Sequence, residues 1–379
     1  MGGYAFLHLA VYIVWVHPLR SRIVRWLGAL FLLVLIPLPG IAWRASHSGH
    51  LILSDVAGTI AYLLMAPLLW HACWWLVLLL LNAGLHVFHL LTGSRIRPLK
   101  PRAFRVALLT LLALTIGVSL HETHHIRVAE LIIRTPLLPP GAASVRIAQI
   151  SDMHLDVYPW SRKSAPVLRQ LHRLQPDLLL STGDFLDAPV RFLETEMEAW
   201  AAFQPPLGKY AILGNHEGYK PLQNALQFHQ AAGFHLLRAS TATPLPWLRL
   251  VGVDDPAVNR QNGLPDFSNE ERLPLPTRAE NEVFTLLLKH QPVVSPWARE
   301  HVNLQLSGHT HGGQIFPFHF LVALVHPGLS GLHPFSTNGR LYINRGTGYW
   351  GAPFRLLAPP EITLITLQPE EDLSVPTPD

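Results

Sequence analysis

The chain has 379 residues, 49% hydrophobic and 14% charged, a balance that excludes both a disordered chain and a wholly water-soluble one. Its formal charge of +4 divides unevenly: residues 1–125 carry nine basic and two acidic side chains, a net +7, and the remainder a net −3. The remainder therefore lacks the clustered basic face of a nucleic-acid binder. The single cysteine, Cys73, excludes an internal disulfide and a cysteine-based zinc site.

Four apolar segments come first: 4–16, 23–43, 56–91 and 104–120. Crossing a bilayer takes roughly 20 apolar residues, and repeated runs do not suit a cleavable signal peptide. The pattern predicts an all-α transmembrane domain of about four helices over 1–125, with 56–91 as one long, tilted or bent helix. Arg20, Arg22 and Arg25 lie in one loop, and Arg95, Arg97, Lys100, Arg102 and Arg105 in another. The positive-inside tendency places both loops in the cytoplasm. Four spans then leave everything after about residue 121 extracytoplasmic. His71, His86 and His89 are read as packing or interfacial groups, and "HETHH" (121–125) as a wet helix end.

Residues 126–144 form a joint and lead-in strand, and the pattern then changes. Short β-branched or leucine-rich runs at 145–151, 177–182, 209–214, 247–253, 284–290, 303–308, 340–345 and 361–367 predict strands. Helical stretches at 165–175 and 222–233 lie between the early ones, and Gly233 is a helix stop. This is an α/β layered domain over 145–368, followed by a disordered tail, 369–379. His172, His229 and His235 are expected to face solvent. The apolar stretch 315–332 is read as core packing beneath the site, with a lipid-facing surface as the rival reading.

The polar residues gather at the carboxyl ends of the strands: "QISDMH", "STGD", "LGNHE", "LKHQP" and "LSGHTHG". Ligands bind at that edge in layered α/β proteins. The collected donors are Asp152, His154, Asp184, Asn215, His290, His309 and His311. Mixed imidazole and carboxylate donors suit Mn, Zn or Fe rather than Ca or Mg. Seven exceed what one four-coordinate ion takes, so two divalent metals sharing a carboxylate fit the count. Asp156, Asp187, Asp254 and Asp255 are left outside the set as supporting or surface groups.

With these motifs in this order, the chain resembles the calcineurin-like metallophosphoesterase superfamily over roughly 145–367. "GHTHGGQI", "NRGTGYW" (344–350) and "PPEITLITL" (359–367) are similar to its bacterial membrane-associated branch. The resemblance implies a four-layer sandwich of two mixed sheets flanked by helices. It also implies that Asp152, His154 and His311 bind one metal, that Asn215, His290 and His309 bind the other, and that Asp184 bridges. His216 is the implied catalytic, non-ligand histidine. Glu217 stands where the family more often has Asp, which would orient His216 differently. The expected activity is hydrolysis of phosphate mono- or diesters by metal-activated hydroxide. The expected setting is the bacterial inner membrane, with the lipid bilayer as partner and lipid or lipid-linked headgroups as candidate substrates. The rival readings are a catalytically inactive metal-binding sensor or transporter-associated module, and a scaffold for structural zinc.

Overall fold

The computed structural model describes residues 2–47, 51–139, 141–158, 163–263, 266–278, 282–326 and 328–370; positions 371–379 of the expected tail lie outside them. Two compact units result, residues 1–121 with 351–356 and residues 122–350 with 357–379.

The first unit holds α1 (Gly2–Val11), which continues as a π turn to Val16, α2 (Arg22–Leu35), α3 (Leu38–His47), α4 (Leu51–Thr92) and α5 (Pro101–His124). Three helical stretches, Arg22–Ala42, Leu53–Thr92 and Pro101–His124, are long and apolar enough to cross a membrane. Residues Gly2–Val16 form a shorter apolar helix, rising about 22 Å against a hydrocarbon core of roughly 30 Å. Thus three of the four apolar segments reach spanning length. The long segment is one helix with Pro67 inside it, about 63 Å at 1.5 Å per residue. Indole N–H groups tie the helices together. Trp15 donates to His71 Nε2 at 2.9 Å and Trp74 to Thr115 Oγ1 at 2.9 Å, so His71 serves packing. Trp26, Leu30, Phe31 and Leu91 point outward, as lipid-facing side chains do.

The second unit opens with β1 (Arg127–Thr135), β2 (Val145–Ile150), α6 (Ser164–Leu174), β3 (Leu178–Ser181), α7 (Glu194–Ala202), β4 (Lys209–Ala211), α8 (Asn215–Gly218), α9 (Leu222–Ala231) and β5 (His235–Leu236). It continues with β6 (Ser240–Leu245), β7 (Leu248–Gly252), α10 (Pro256–Asn262), β8 (Phe284–Leu288), α11 (Pro296–His301), β9 (Leu304–Ser307), α12 (Phe318–Val325), β10 (Gly331–Pro334), β11 (Arg340–Ile343) and β12 (Glu361–Pro369). Two six-stranded sheets form, ordered β1-β12-β2-β3-β4-β5 and β10-β11-β9-β8-β7-β6. Strands β2 to β5 run parallel, as do β7, β8, β9 and β11. Antiparallel pairs join β12 to β2, β6 to β7 and β10 to β11, so both sheets are mixed.

Leucine and isoleucine side chains explain the layers. Ile147, Leu178, Leu180 and Ile365 of one sheet meet Leu250, Leu286, Leu288 and Leu306 of the other in one buried cluster. Alternate residues Ala148, Ile150 and Leu179 face the other way, against Val167, Leu171, Trp200 and Phe228 of α6, α7 and α9. Val251 and Leu287 pack on Ala298 of α11. Strands covered on both faces read as continuous apolar runs rather than alternating ones, and the order is helix, sheet, sheet, helix.

Three expectations change. Strand β1 is more than a lead-in: it pairs in parallel with β12 along its whole length, from Arg127 opposite Glu361 to Thr135 opposite Pro369. His229 does not face solvent; it is fully buried on α9, beside Phe185, Phe228 and Phe234. Within the apolar stretch after the fifth motif, Ile315 is buried but α12 is not core, because none of its eight side chains is buried.

Candidate metal centre

Parallel strands from both sheets end at one edge, and the seven donors sit in the loops that follow. Asp152 and His154 follow β2, Asp184 follows β3, Asn215 opens α8 after β4, His290 follows β8, and His309 and His311 follow β9. Five of the seven, Asp152, His154, Asp184, His309 and His311, have left-handed backbones, with φ from 45° to 71°. Such conformations cost about 1–3 kcal/mol each outside glycine and cluster at functional sites. Glycine makes the close approaches possible: a Cβ on Gly308 would run into Ser151 Oγ and Asp152 Oδ2, and one on Gly214 into the Asp184 carboxylate.

The donors form one continuous cluster. His311 Nε2 lies 3.3 Å from Asp152 Oδ1 and 3.1 Å from His154 Nε2. His154 Nε2 is 3.7 Å from Asp184 Oδ2, whose same oxygen is 3.2 Å from His290 Nε2. His290 Nε2 is in turn 3.1 Å from Asn215 Oδ1 and 3.2 Å from His309 Nδ1. Asp152, His154 and His311 make one group with metal-holding geometry, and Asp184, His290 and His309 another; His154, Asp184 and His216 also approach one another. One oxygen of Asp184, Oδ2, lies near both His154 and His290.

Hydrogen bonds behind the donors fix which ring nitrogen is free. The Thr182 carbonyl can only accept, so His290 Nδ1 donates to it at 2.8 Å and Nε2 is the nitrogen turned inward. His154 Nδ1 likewise donates to Asp187 Oδ2 at 3.1 Å. The Asn215 amide nitrogen donates to Tyr219 Oη at 3.2 Å, which turns its oxygen inward. Imidazole nitrogens and amide and carboxylate oxygens thus converge within 3.1–3.3 Å on a place that calls for positive charge. Partners that orient metal-binding imidazoles in this way are a general feature of metal sites, and the donor set fits divalent transition-metal ions.

Electrostatics say the same. Burial alone would lower the His290 pKa, yet Asp184 and Asp152 raise it to about 10. Burial works against the Asp184 carboxylate, but His290, His216 and His154 hold it well below the usual range. His309 is pushed down to about 4 by burial and by its neighbour His290. The cluster takes up positive charge at its centre and resists adding more at its rim.

Two residues outside the sequence-derived set organise it. Asp187 accepts from His154 through Oδ2 and from His216 Nδ1 through Oδ1, the latter at 2.6 Å. Its carboxylate stays ionised despite burial because both imidazoles face it. The His216 pKa, lowered by burial but raised by Asp187 and Asp184, stands at about 9. Glu217 does not orient His216. Oε2 accepts from the amides of Gly214 (2.7 Å) and Asp184 (3.0 Å), and Oε1 from those of Phe185 (2.6 Å) and Leu186 (3.0 Å). It thereby fastens the loop after β3 to the loop after β4. Burial and Asp184 raise its pKa to about 7, against the pull of the Leu186 and Gly214 amides. The remaining acids set aside are not surface groups either. Asp156 pairs with Lys163 at 2.9 Å, Asp254 with Arg238 at 2.7 Å, and Asp255 accepts from Gln291 at 2.7 Å.

A family model described as calcineurin-like phosphoesterase matches residues 145–313. An uncharacterized metallophosphoesterase of Aquifex aeolicus is 34% identical over 259 residues, covering 68% of this chain and 98% of that protein. A Bos taurus transmembrane protein with metallophosphoesterase domain is 32% identical over 250 residues, 61% of this chain and 54% of its own length; this chain spans about half of that relative. Among solved structures, a dimetal phosphatase from Danio rerio matches with a TM-score of 0.37 and 16% identity, covering 53% of this chain and 87% of that one.

Proposed function

Because the chain belongs to the calcineurin-like phosphoesterase family, whose members are metal-dependent phosphoric ester hydrolases, we propose that it is a membrane-anchored enzyme cleaving phosphate mono- or diesters. The observation that carries the proposal is the convergence of imidazole nitrogens with carboxylate and amide oxygens within 3.1–3.3 Å. Asp152, His154 and His311 would hold one divalent ion, Asn215, His290 and His309 the other, and Asp184 would serve both. Mn, Zn and Fe are the candidates for such a mixed set. Ions there would bring a shared water toward neutral pKa and offset charge on phosphoryl oxygens.

The protein's own groups supply the rest. His216 Nδ1–H is committed to Asp187 at 2.6 Å, so its proton-carrying Nε2 is the atom available to substrate. Asp187, facing Nδ1, favours the protonated imidazole of His216. That imidazole donates to a phosphoryl oxygen or to the departing alkoxide. Asp187 holds that imidazolium in place and, through His154, ties it to the ligand set.

The phosphoesterase unit lies on the extracytoplasmic side of the plasma membrane. Arg95, Arg97, Lys100, Arg102 and Arg105 cluster at the start of the last span, α5, so its far end emerges opposite the cytoplasm. This holds whether Gly2–Val16 crosses the bilayer or lies along it.

The full-length protein purified with Mn²⁺ is expected to hydrolyse a diester or monoester from a soluble panel. Asp184→Asn is expected to keep at most one ion and to lose turnover, and His216→Ala to lose turnover while keeping metal. If His216→Ala strips the ions, His216 is a ligand and its proton-donor role is wrong.

A further inference from the structure

Immediately after the metal-binding loop, α12 exposes an apolar surface. Its sequence, FHFLVALV, contains no formally charged residue. Leu324 is 83% and Val325 76% exposed, and Phe318, Phe320 and Leu321 are exposed as well. A contiguous patch of this kind marks an interaction surface.

Both ends of α12 are fixed to the loop that carries His309 and His311. At its start, Gly313 has φ +81°, and a Cβ there would strike the backbone of His319. At its end, His326 packs edge-on against the His309 ring, with centroids 5.3 Å apart. Two further exposed aromatics stand at the same mouth. Trp350 and Tyr219 both contact the His216 ring, at 5.8 and 5.1 Å between centroids. Trp350 is held there by paired hydrogen bonds to the Gln314 side chain, each 2.9 Å. Trp and Tyr favour the headgroup level of a bilayer.

A partner for this surface is already attached to the chain. Helix α5 ends at His124 and β1 begins at Arg127. Two intervening residues span only about 7 Å when extended, so the phosphoesterase unit cannot leave the bilayer that its last span crosses.

Resting on the hydrolase reading above, we propose that α12, with Trp350 and Tyr219, docks on the phospholipid surface. This collar holds the metal-binding mouth against the headgroups, and the phosphate ester cleaved is one presented at that surface. A short apolar helix in the interface buries its face roughly 5–10 Å into the headgroup boundary, which places the adjoining loop at phosphate level.

The test uses full-length protein in phosphatidylcholine–phosphatidylglycerol nanodiscs. A polarity-sensitive dye on Leu324→Cys, in a Cys73→Ser background, is expected to be quenched by spin-labelled lipid well beyond the same dye on Glu300→Cys. Equal, weak quenching at both sites overturns the proposal, as does a disulfide between two chains at position 324, which would make the occupant a second copy. In parallel, Leu324→Glu with Val325→Glu is expected to leave cleavage of methyl p-nitrophenyl phosphate within about twofold, while slowing that of membrane-embedded hexadecyl p-nitrophenyl phosphate about tenfold. Equal effects on the two esters count against docking. Failure of the parent protein to cleave any soluble ester strikes the hydrolase reading instead, which the quenching measurement does not depend on.

Discussion

Glu217→Gln is the sharpest perturbation of the site's framework, because it replaces one oxygen by an NH₂ group and leaves every proposed ligand in place. The carboxylate accepts four backbone amides, two on each oxygen. A glutamine has one accepting oxygen, so whichever way it turns, its NH₂ group faces two N–H donors. A buried donor left without a partner costs about 1–3 kcal/mol, so the two together cost about 2–6 kcal/mol. For a unit of this size that corresponds to a melting temperature about 4–24 °C lower. Asp184 lies inside the fastened loop, so metal retention falls with it. The assay is thermal unfolding of the full-length protein in detergent, with and without Mn²⁺, alongside metal content and turnover. A variant with unchanged melting temperature and metal content would show that the four amides find other partners and that Glu217 is not what joins the two loops.

Asp187→Asn removes the acceptor that orients both His154 and His216; metal affinity is expected to fall about 10–100-fold, with turnover falling further than metal content can explain. Metal titration and kcat measured on the same sample separate the two effects. His229 is buried and held neutral, its pKa lowered by burial to about 4 from 6.5. The unfolded chain therefore binds more protons between those values, and stability present above about pH 6.5 is lost as pH falls toward 4, by up to about 1.4 kcal/mol per pH unit. Denaturant unfolding of His229→Phe should show a shallower acid slope than the parent; an identical slope would contradict the assignment. Gly308→Ala is expected to abolish turnover, since the new Cβ meets Ser151 Oγ and the Asp152 carboxylate, and normal activity would mean that the loop after β9 can retreat.

Much of the site could be read in the letters, because donors at strand ends and glycines beside them are local signals. The seven donors lie in five short motifs, each next to a leucine- or isoleucine-rich strand. Asp187 and Glu217 were visible but not interpretable. One is an aspartate three residues beyond Asp184, the other a glutamate beside His216, and only the fold reveals that one pairs with two imidazoles and the other with four amides. His229 could have been placed. It falls on the stripe of Leu222, Ala225 and Phe228, four residues from Ala225, whose carbonyl accepts from its Nδ1 at 2.8 Å. The place of β1 as a full sheet member beside β12 was hard to see because most of its residues stay partly exposed. Helix α12 was misread for a different reason. An apolar run has the same composition whether it packs in a core or lies at the surface, and only the fold distinguishes the two.

Counting bound metal tests the central claim most directly. Full-length protein saturated with Mn²⁺ and freed of excess is expected to retain about two ions per chain, in keeping with a paired site, and Asp184→Asn no more than one. A parent chain that binds one ion or none at saturation, or an Asp184→Asn chain that keeps both, would contradict a shared carboxylate at the heart of this site.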